Sequence, residues 1–74
     1  MRITYDVEVD VLYIELRKVK AEDSLDLEEG ITADLDADGH VIGLEMLDAS
    51  ERLGADPLAS LTIERLPLSL RESA

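Results

Sequence analysis

Apolar and polar residues alternate along most of the first fifty positions of the chain, and the alternation is broken and restarted several times. A period of two is the signature of half-buried β-strands, whose successive side chains point to opposite faces. Ile3 and Tyr5 alternate with Arg2 and Thr4. Leu12, Ile14 and Leu16 alternate with Val11, Tyr13 and Glu15. Pairing Tyr5 with Leu12 also pairs Ile3 with Ile14 and brings these apolar residues to one face, which predicts a first hairpin. Its connection, Asp6 to Asp10, is a turn with carboxylates able to cap backbone N–H groups.

Lys18 to Glu22 reads as a short polar connection. A third strand follows, with Leu25 and Leu27 alternating with Ser24, Asp26 and Glu28. Glu28-Glu29-Gly30 fits a three-residue hairpin loop in which Gly30 takes the left-handed position. That register sets Leu27 opposite Ile31 and Leu25 opposite Ala33. In the next hairpin, Asp38-Gly39 fits the centre of a two-residue type I′ turn. Ala37 then faces His40, Leu35 faces Ile42, Ala33 faces Leu44 and Ile31 faces Met46. The last three pairs share one face, while Thr32, Asp34, Asp36, Val41, Gly43 and Glu45 share the other. A slip of one residue would destroy this segregation.

After Leu47 the alternation stops. Ser50 to Gly54 predicts one helical turn with a serine cap and a glycine stop. Asp56-Pro57 predicts a second start, with proline at the first helical position. Leu61 and Ile63 alternate with Thr62 and Glu64, suggesting a short strand that Pro67 interrupts. Leu66, Leu68 and Leu70 add apolar surface without a clear period. The expectation is a β-rich α+β domain: an antiparallel meander of about five strands with short C-terminal helical turns. One small domain spans 1–74, with a core sheet over 1–50 and a cover segment over 51–74.

The 74 residues contain no cysteine, so disulfides, thiolate zinc sites and cysteine nucleophiles are absent. Domains this short leave much of their surface wet and often add a metal or a partner chain. A sheet of this kind needs a cover over its apolar face. The opposite face also carries Val11, Tyr13, Val41 and Leu47, which suggests an interface in a homo-oligomer, expected to be a dimer. No signal peptide or membrane-length apolar run is visible, so a cytoplasmic location is expected.

Net charge is −11, and the eleven acidic residues between Ala21 and Glu51 are accompanied by no lysine or arginine. Such a chain lacks the cationic face that nucleic acid phosphates require. Anionic membrane surfaces are disfavoured for the same reason. Solvation, cation binding or masking of a basic partner protein fits the charge better.

Asp34, Asp36, Asp38, Gly39 and Glu45 match the spacing of a calcium loop, D-x-D-x-D-G-x5-E, and Val41 supplies an aliphatic residue at loop position eight. The context argues against the alternative reading of a calcium site from Asp34 to Glu45. Such a loop sits between helices, whereas Gly30-Ile31-Thr32-Ala33 reads as a strand, and Ile42 has a better role opposite Leu35. Asp6, Glu8 and Asp10 could hold a hard cation weakly, but capping carboxylates in a turn explain them more simply. His40, the single histidine, borders a turn, with no positioned nucleophile or acid singled out beside it. Tyr5 and Tyr13, the two aromatic residues, read as packing residues with a hydrogen-bonding tip. Gly43 faces Asp34 and permits close approach of a neighbour. No catalytic, cofactor-binding or metal-ligating residue is assigned, no cofactor is expected, and an enzyme is not expected.

The opening ITYDVEVDVLYIEL, followed by EEGITADLDADGHVIGLEMLDAS, resembles the small, mainly bacterial family catalogued as domain of unknown function 2283. The resemblance rests on Tyr5, Asp6, Asp10, Leu12, Tyr13 and Ile14, then on Gly30, Asp34, Asp38, Gly39, Gly43, Glu45, Leu47, Asp48, Ala49 and Ser50. It covers about the first fifty residues and implies a small sheet-based domain with no catalytic residues to carry over. Val7 stands where many relatives carry proline, and the tail after Gly54 departs most. Some relatives look like partners of small toxin-like proteins encoded beside them, so the resemblance also suggests an antitoxin-like inhibitor of a small basic protein.

Overall fold

The computed structural model describes residues 1–65. Five strands, β1 (Arg2–Asp6), β2 (Val11–Glu15), β3 (Asp23–Glu28), β4 (Ile31–Leu35) and β5 (Val41–Leu47), precede two short helices, α1 (Ala49–Leu53) and α2 (Ala55–Ala59). All strands lie in one antiparallel sheet, giving the expected β-rich α+β fold. Neighbours in sequence form hairpins, except that β5 inserts between β2 and β4, so the order is β1-β2-β5-β4-β3.

Strand chemistry explains this order. The β5 sequence, VIGLEML, is the most apolar, and a central strand is covered on both edges. The β3 sequence, DSLDLE, carries three carboxylates and suits an edge. Pairing β2 with β5 sets Leu12 opposite Met46 and Ile14 opposite Leu44, so the apolar sides of both strands coincide. Residues 16–22 then cross to the far edge, three strand spacings or about 14 Å away. They run along the end of the sheet, where Leu16 and Arg17 donate backbone N–H groups to the Ile42 carbonyl and Glu22 donates to Leu35.

The predicted registers hold at their centres and shift at their ends. Tyr5 pairs with Leu12 and Ile3 with Ile14. Leu25 pairs with Ala33, but a register shift between Asp26 and Glu28 puts Glu28, not Leu27, opposite Ile31. Ile31 faces Met46, Ala33 faces Leu44 and Asp34 faces Gly43. Leu35, however, faces Val41 rather than Ile42. The β4–β5 loop is one residue longer than the type I′ prediction. Gly39 donates to the Asp36 carbonyl and Asp36 donates to that of His40, closing a loop of Ala37, Asp38 and Gly39 with Gly39 at φ 84°. The longer loop and the bulge offset one another, which preserves the pairing deeper in the hairpin.

The C-terminal elements differ more from expectation. Helix α1 starts at Ala49, one residue before Ser50, and its N-cap is Asp48 in the left-handed region at φ 54°. Gly54 does stop it, donating its N–H to the Ser50 carbonyl. Pro57 is the third residue of α2, not the first; it still falls within the first turn, where a missing N–H costs no helical hydrogen bond. Residues 60–64 form no strand. Pro67 and the leucines at 66, 68 and 70 lie outside the described residues.

Three hydrophobic residues are buried among those described, Ala33, Ile42 and Ala49. Helix α2 and the chain after it cover the β1–β2 half of the apolar face, enclosing an open cleft of about 440 Å³ lined by Ile3, Leu12, Ile14, Leu53, Leu58 and Leu61, among others. On the β3 side, Leu25 and Leu27 are 53% and 54% exposed.

Candidate functional site

Two hydrogen-bonded clusters hold most of the polar residues singled out by the sequence. The first ties the β1–β2 hairpin to α1. Asp10 adopts φ 59° at the end of the turn, which aims its carboxylate across the sheet end. Its Oδ1 accepts the Tyr5 hydroxyl at 2.6 Å and the Ser50 backbone N–H at 2.9 Å, and its Oδ2 accepts the Ser50 hydroxyl at 2.7 Å. The Asp10 carbonyl also accepts the Ala49 N–H at 3.1 Å. The Tyr5 hydroxyl, then the Ser50 hydroxyl and N–H, hold the Asp10 carboxyl below its ordinary pKa. Within the same turn Asp6 accepts the Glu8 N–H at 2.9 Å, so the capping role read for these acids is observed at Asp6 and Asp10.

The second cluster lies on the opposite face, at the sheet centre. Tyr13 leans from β2 across β5 and donates its hydroxyl to Asp34 Oδ2 on β4 at 2.7 Å. Its path crosses Gly43, where an added Cβ would collide with the Tyr13 hydroxyl. The close approach expected at Gly43 is therefore that of a tyrosine ring. The hydrogen bond to Asp34 is the main cause that pushes the Tyr13 phenol up to about 12, with burial second.

The acids of the calcium pattern are engaged separately. Asp34 serves Tyr13. Asp36 Oδ1 accepts the N–H groups of Asp38 and His40, each at 2.9 Å, and its Oδ2 pairs with Arg17 at 3.1 Å. The His40 N–H leads the effects that lower the Asp36 pKa. Among the described residues no three His, Cys, Asp or Glu side chains converge on a metal-sized site. His40 and Ser50 lie beyond opposite ends of β5, whose seven residues span roughly 20 Å, so they cannot act on one substrate atom. The Ser50 hydroxyl donates a hydrogen bond to a carboxylate already shared with Tyr5, an arrangement that positions α1.

Arg52 on α1 was not singled out by the sequence. It donates Nε to the Leu47 carbonyl at 2.9 Å, pairs with Glu28 at 3.0 Å and reaches the Glu29 carbonyl. Its guanidinium occupies the space a side chain at Gly30 would need, which joins α1 to the β3–β4 turn. The partner was hidden because 22 residues or more separate it from that turn, a distance at which sequence pattern carries no pairing information.

One sheet face is apolar and incompletely covered, and the two edge strands, β1 and β3, have every residue exposed. Among the described residues no helix is long and apolar enough to cross a membrane.

No solved structure matches the chain. A relative, an uncharacterized protein of the archaeon Methanocaldococcus jannaschii, is 38% identical over 56 residues, which are 76% of this chain and 47% of that protein. The chain thus spans about half the length of its relative, and the bacterial character suggested by the resemblance is not confirmed. Residues 2–50 match the model of the family described as "Protein of unknown function (DUF2283)", and these are the residues that build the sheet and both tyrosine clusters. The chain belongs to that family.

Proposed function

We propose that the protein is a small, non-enzymatic association module that works by burying a sheet surface against another chain, first of all a second copy of itself. The observation that carries this reading is the incomplete cover of the apolar face: Leu25 and Leu27 remain more than half exposed, and among the described residues the buried hydrophobic ones are two alanines and Ile42. Apolar surface contributes about 25 cal/mol per Å² removed from water, so a partner covering this face gains directly from it. The polar clusters support the same reading, because their donors and acceptors are spent on holding the hairpins and α1 in place. Sedimentation velocity across a wide concentration range tests it. Reversible self-association is expected, and a strictly monomeric mass up to millimolar concentration would contradict it.

A second reading, inhibition of a small basic protein, is favoured by the charge of −11 and by the run from Ala21 to Glu51 that holds no lysine or arginine. It is distinguished by salt: binding to a basic partner weakens steeply with ionic strength, while burial of the apolar face does not.

A further inference from the structure

We infer that two copies of the chain join through the free edge of β1, antiparallel about a two-fold axis at Thr4, to make one ten-stranded sheet. This deepens the reading above by naming the surface used. β1 ends the sheet, and among the described residues no strand pairs with its outer edge. Its five residues pair with β2 without a bulge, and none of them is proline, so two of the devices that blunt an edge are missing.

The sequence of this strand, Arg-Ile-Thr-Tyr-Asp, is complementary to its own reverse. In an antiparallel pair centred on Thr4, Arg2 stands opposite the partner's Asp6 and Ile3 opposite the partner's Tyr5. Thr4 stands opposite its own copy. Arg2, Thr4 and Asp6 share the polar face, where Arg2 and Thr4 flank Tyr13 and Glu15 in a shallow depression. Ile3 and Tyr5 share the apolar face, and each is 39% exposed in the single chain. Opposite-charge, Thr–Thr and aromatic–aliphatic pairs are the cross-strand combinations that stabilise antiparallel sheets.

Arg2 is the one basic residue in any of the five strands. It stands opposite Glu15 on β2 but forms no ion pair within the described residues, and so remains available to a carboxylate across the edge. Centring the pair on Ile3 or Tyr5 instead would shorten the ladder and separate the charges. Pairing also joins the two apolar faces into one, with the open cleft beside Ile3 in each copy brought to the seam.

The test is a charge exchange. Arg2→Asp places two acids opposite one another at each end of the seam, and Asp6→Arg places two arginines there. Each variant alone is expected to dimerise more weakly by on the order of tenfold, an effect that shrinks in high salt. An equimolar mixture restores both ion pairs and is expected to recover wild-type affinity as a heterodimer, read by sedimentation with one variant fluorescently labelled. Circular dichroism checks that each variant keeps its sheet, and the mixture rescues only if both are folded. A wild-type protein that never associates overturns the association reading and this one together. A dimeric wild type whose two variants dimerise equally well, or whose mixture shows no recovery, overturns the β1 seam alone.

Discussion

The two edges of the sheet, β1 and β3, are built from strands of similar length but opposite chemistry. β1 carries one arginine and one aspartate at its two ends, and reversal superimposes its pattern on a complementary one. β3 carries Asp23, Asp26 and Glu28, no basic residue, and a register shift between Asp26 and Glu28. Any antiparallel pairing of β3 with its own copy brings carboxylates near carboxylates, and the bulge twists the edge away from a flat partner. One edge therefore invites a second copy and the other repels it. A sheet with one open and one guarded edge closes as a pair, while a sheet with two open edges grows without limit.

The strongest way to break this contrast is to remove the guard. Replacing Asp23, Asp26 and Glu28 together by threonine is expected to convert dimers into larger particles whose mass climbs with concentration. Light scattering after size exclusion checks this, and a variant that stays dimeric would show that charge does not protect β3. Asp26 also accepts the Thr32 hydroxyl at 3.2 Å, so the loss of that bond should be matched by a Thr32→Val control.

A smaller effect separates the edges from the centre they share. Gly43→Ala forces the Tyr13 ring off β5 and away from Asp34. The expected cost is about 1–3 kcal/mol of fold stability, measured by urea denaturation. Dimer affinity of the folded fraction should be unchanged, because Gly43 lies on a central strand. A stability equal to wild type would mean that Tyr13 does not need the glycine.

The pH dependence gives two finer signs. Tyr13 is raised in the folded state from 10.0 to about 12, so its contribution is complete below pH 10 and is lost as pH rises from there towards 12. Ultraviolet titration of tyrosinate should resolve one phenol near that upper value, and Tyr13→Phe should remove it. Asp10 is lowered, so its contribution is present above the ordinary carboxylate range and fades as pH falls through its depressed value. Ser50→Ala weakens that shift. Its acid unfolding midpoint should then move towards neutral pH, and an unmoved midpoint would detach α1 from the Asp10 carboxylate.

The contrast between local and distant pairing also governs what the residues alone revealed. Alternation fixed each hairpin and its central register, because the partners are a few residues apart and one slip exposes a whole apolar row. Gly43 betrayed a close approach because a glycine among β-formers has few other uses. The insertion of β5 between β2 and β4 could not be read this way: a period of two says which face a residue occupies, not which strand lies beside it. The Asp10–Ser50 and Arg52–Glu28 bonds join segments 40 and 24 positions apart, and each residue looked like an ordinary turn, cap or surface charge. The bulge at Leu35 escaped because Asp38-Gly39 fits two loop lengths, and Asp36 chose between them by accepting two backbone N–H groups. The mirror pattern of β1 was present throughout, and it acquires meaning once β1 is known to end the sheet.

The absence of cysteine allows the two edges to be compared in a single measurement. Thr4→Cys sets the new thiol opposite its own copy, and directly opposed residues in an antiparallel pair stand about 4.5–5.5 Å apart between Cα atoms, within the span of a disulfide. Under mild oxidation Thr4→Cys is expected to become a covalent dimer within the time that Ser24→Cys, at the matching face of β3, stays monomeric. Rapid cross-linking through Ser24→Cys, or none through Thr4→Cys in a protein that sediments as a dimer, would contradict the assignment of the open edge to β1.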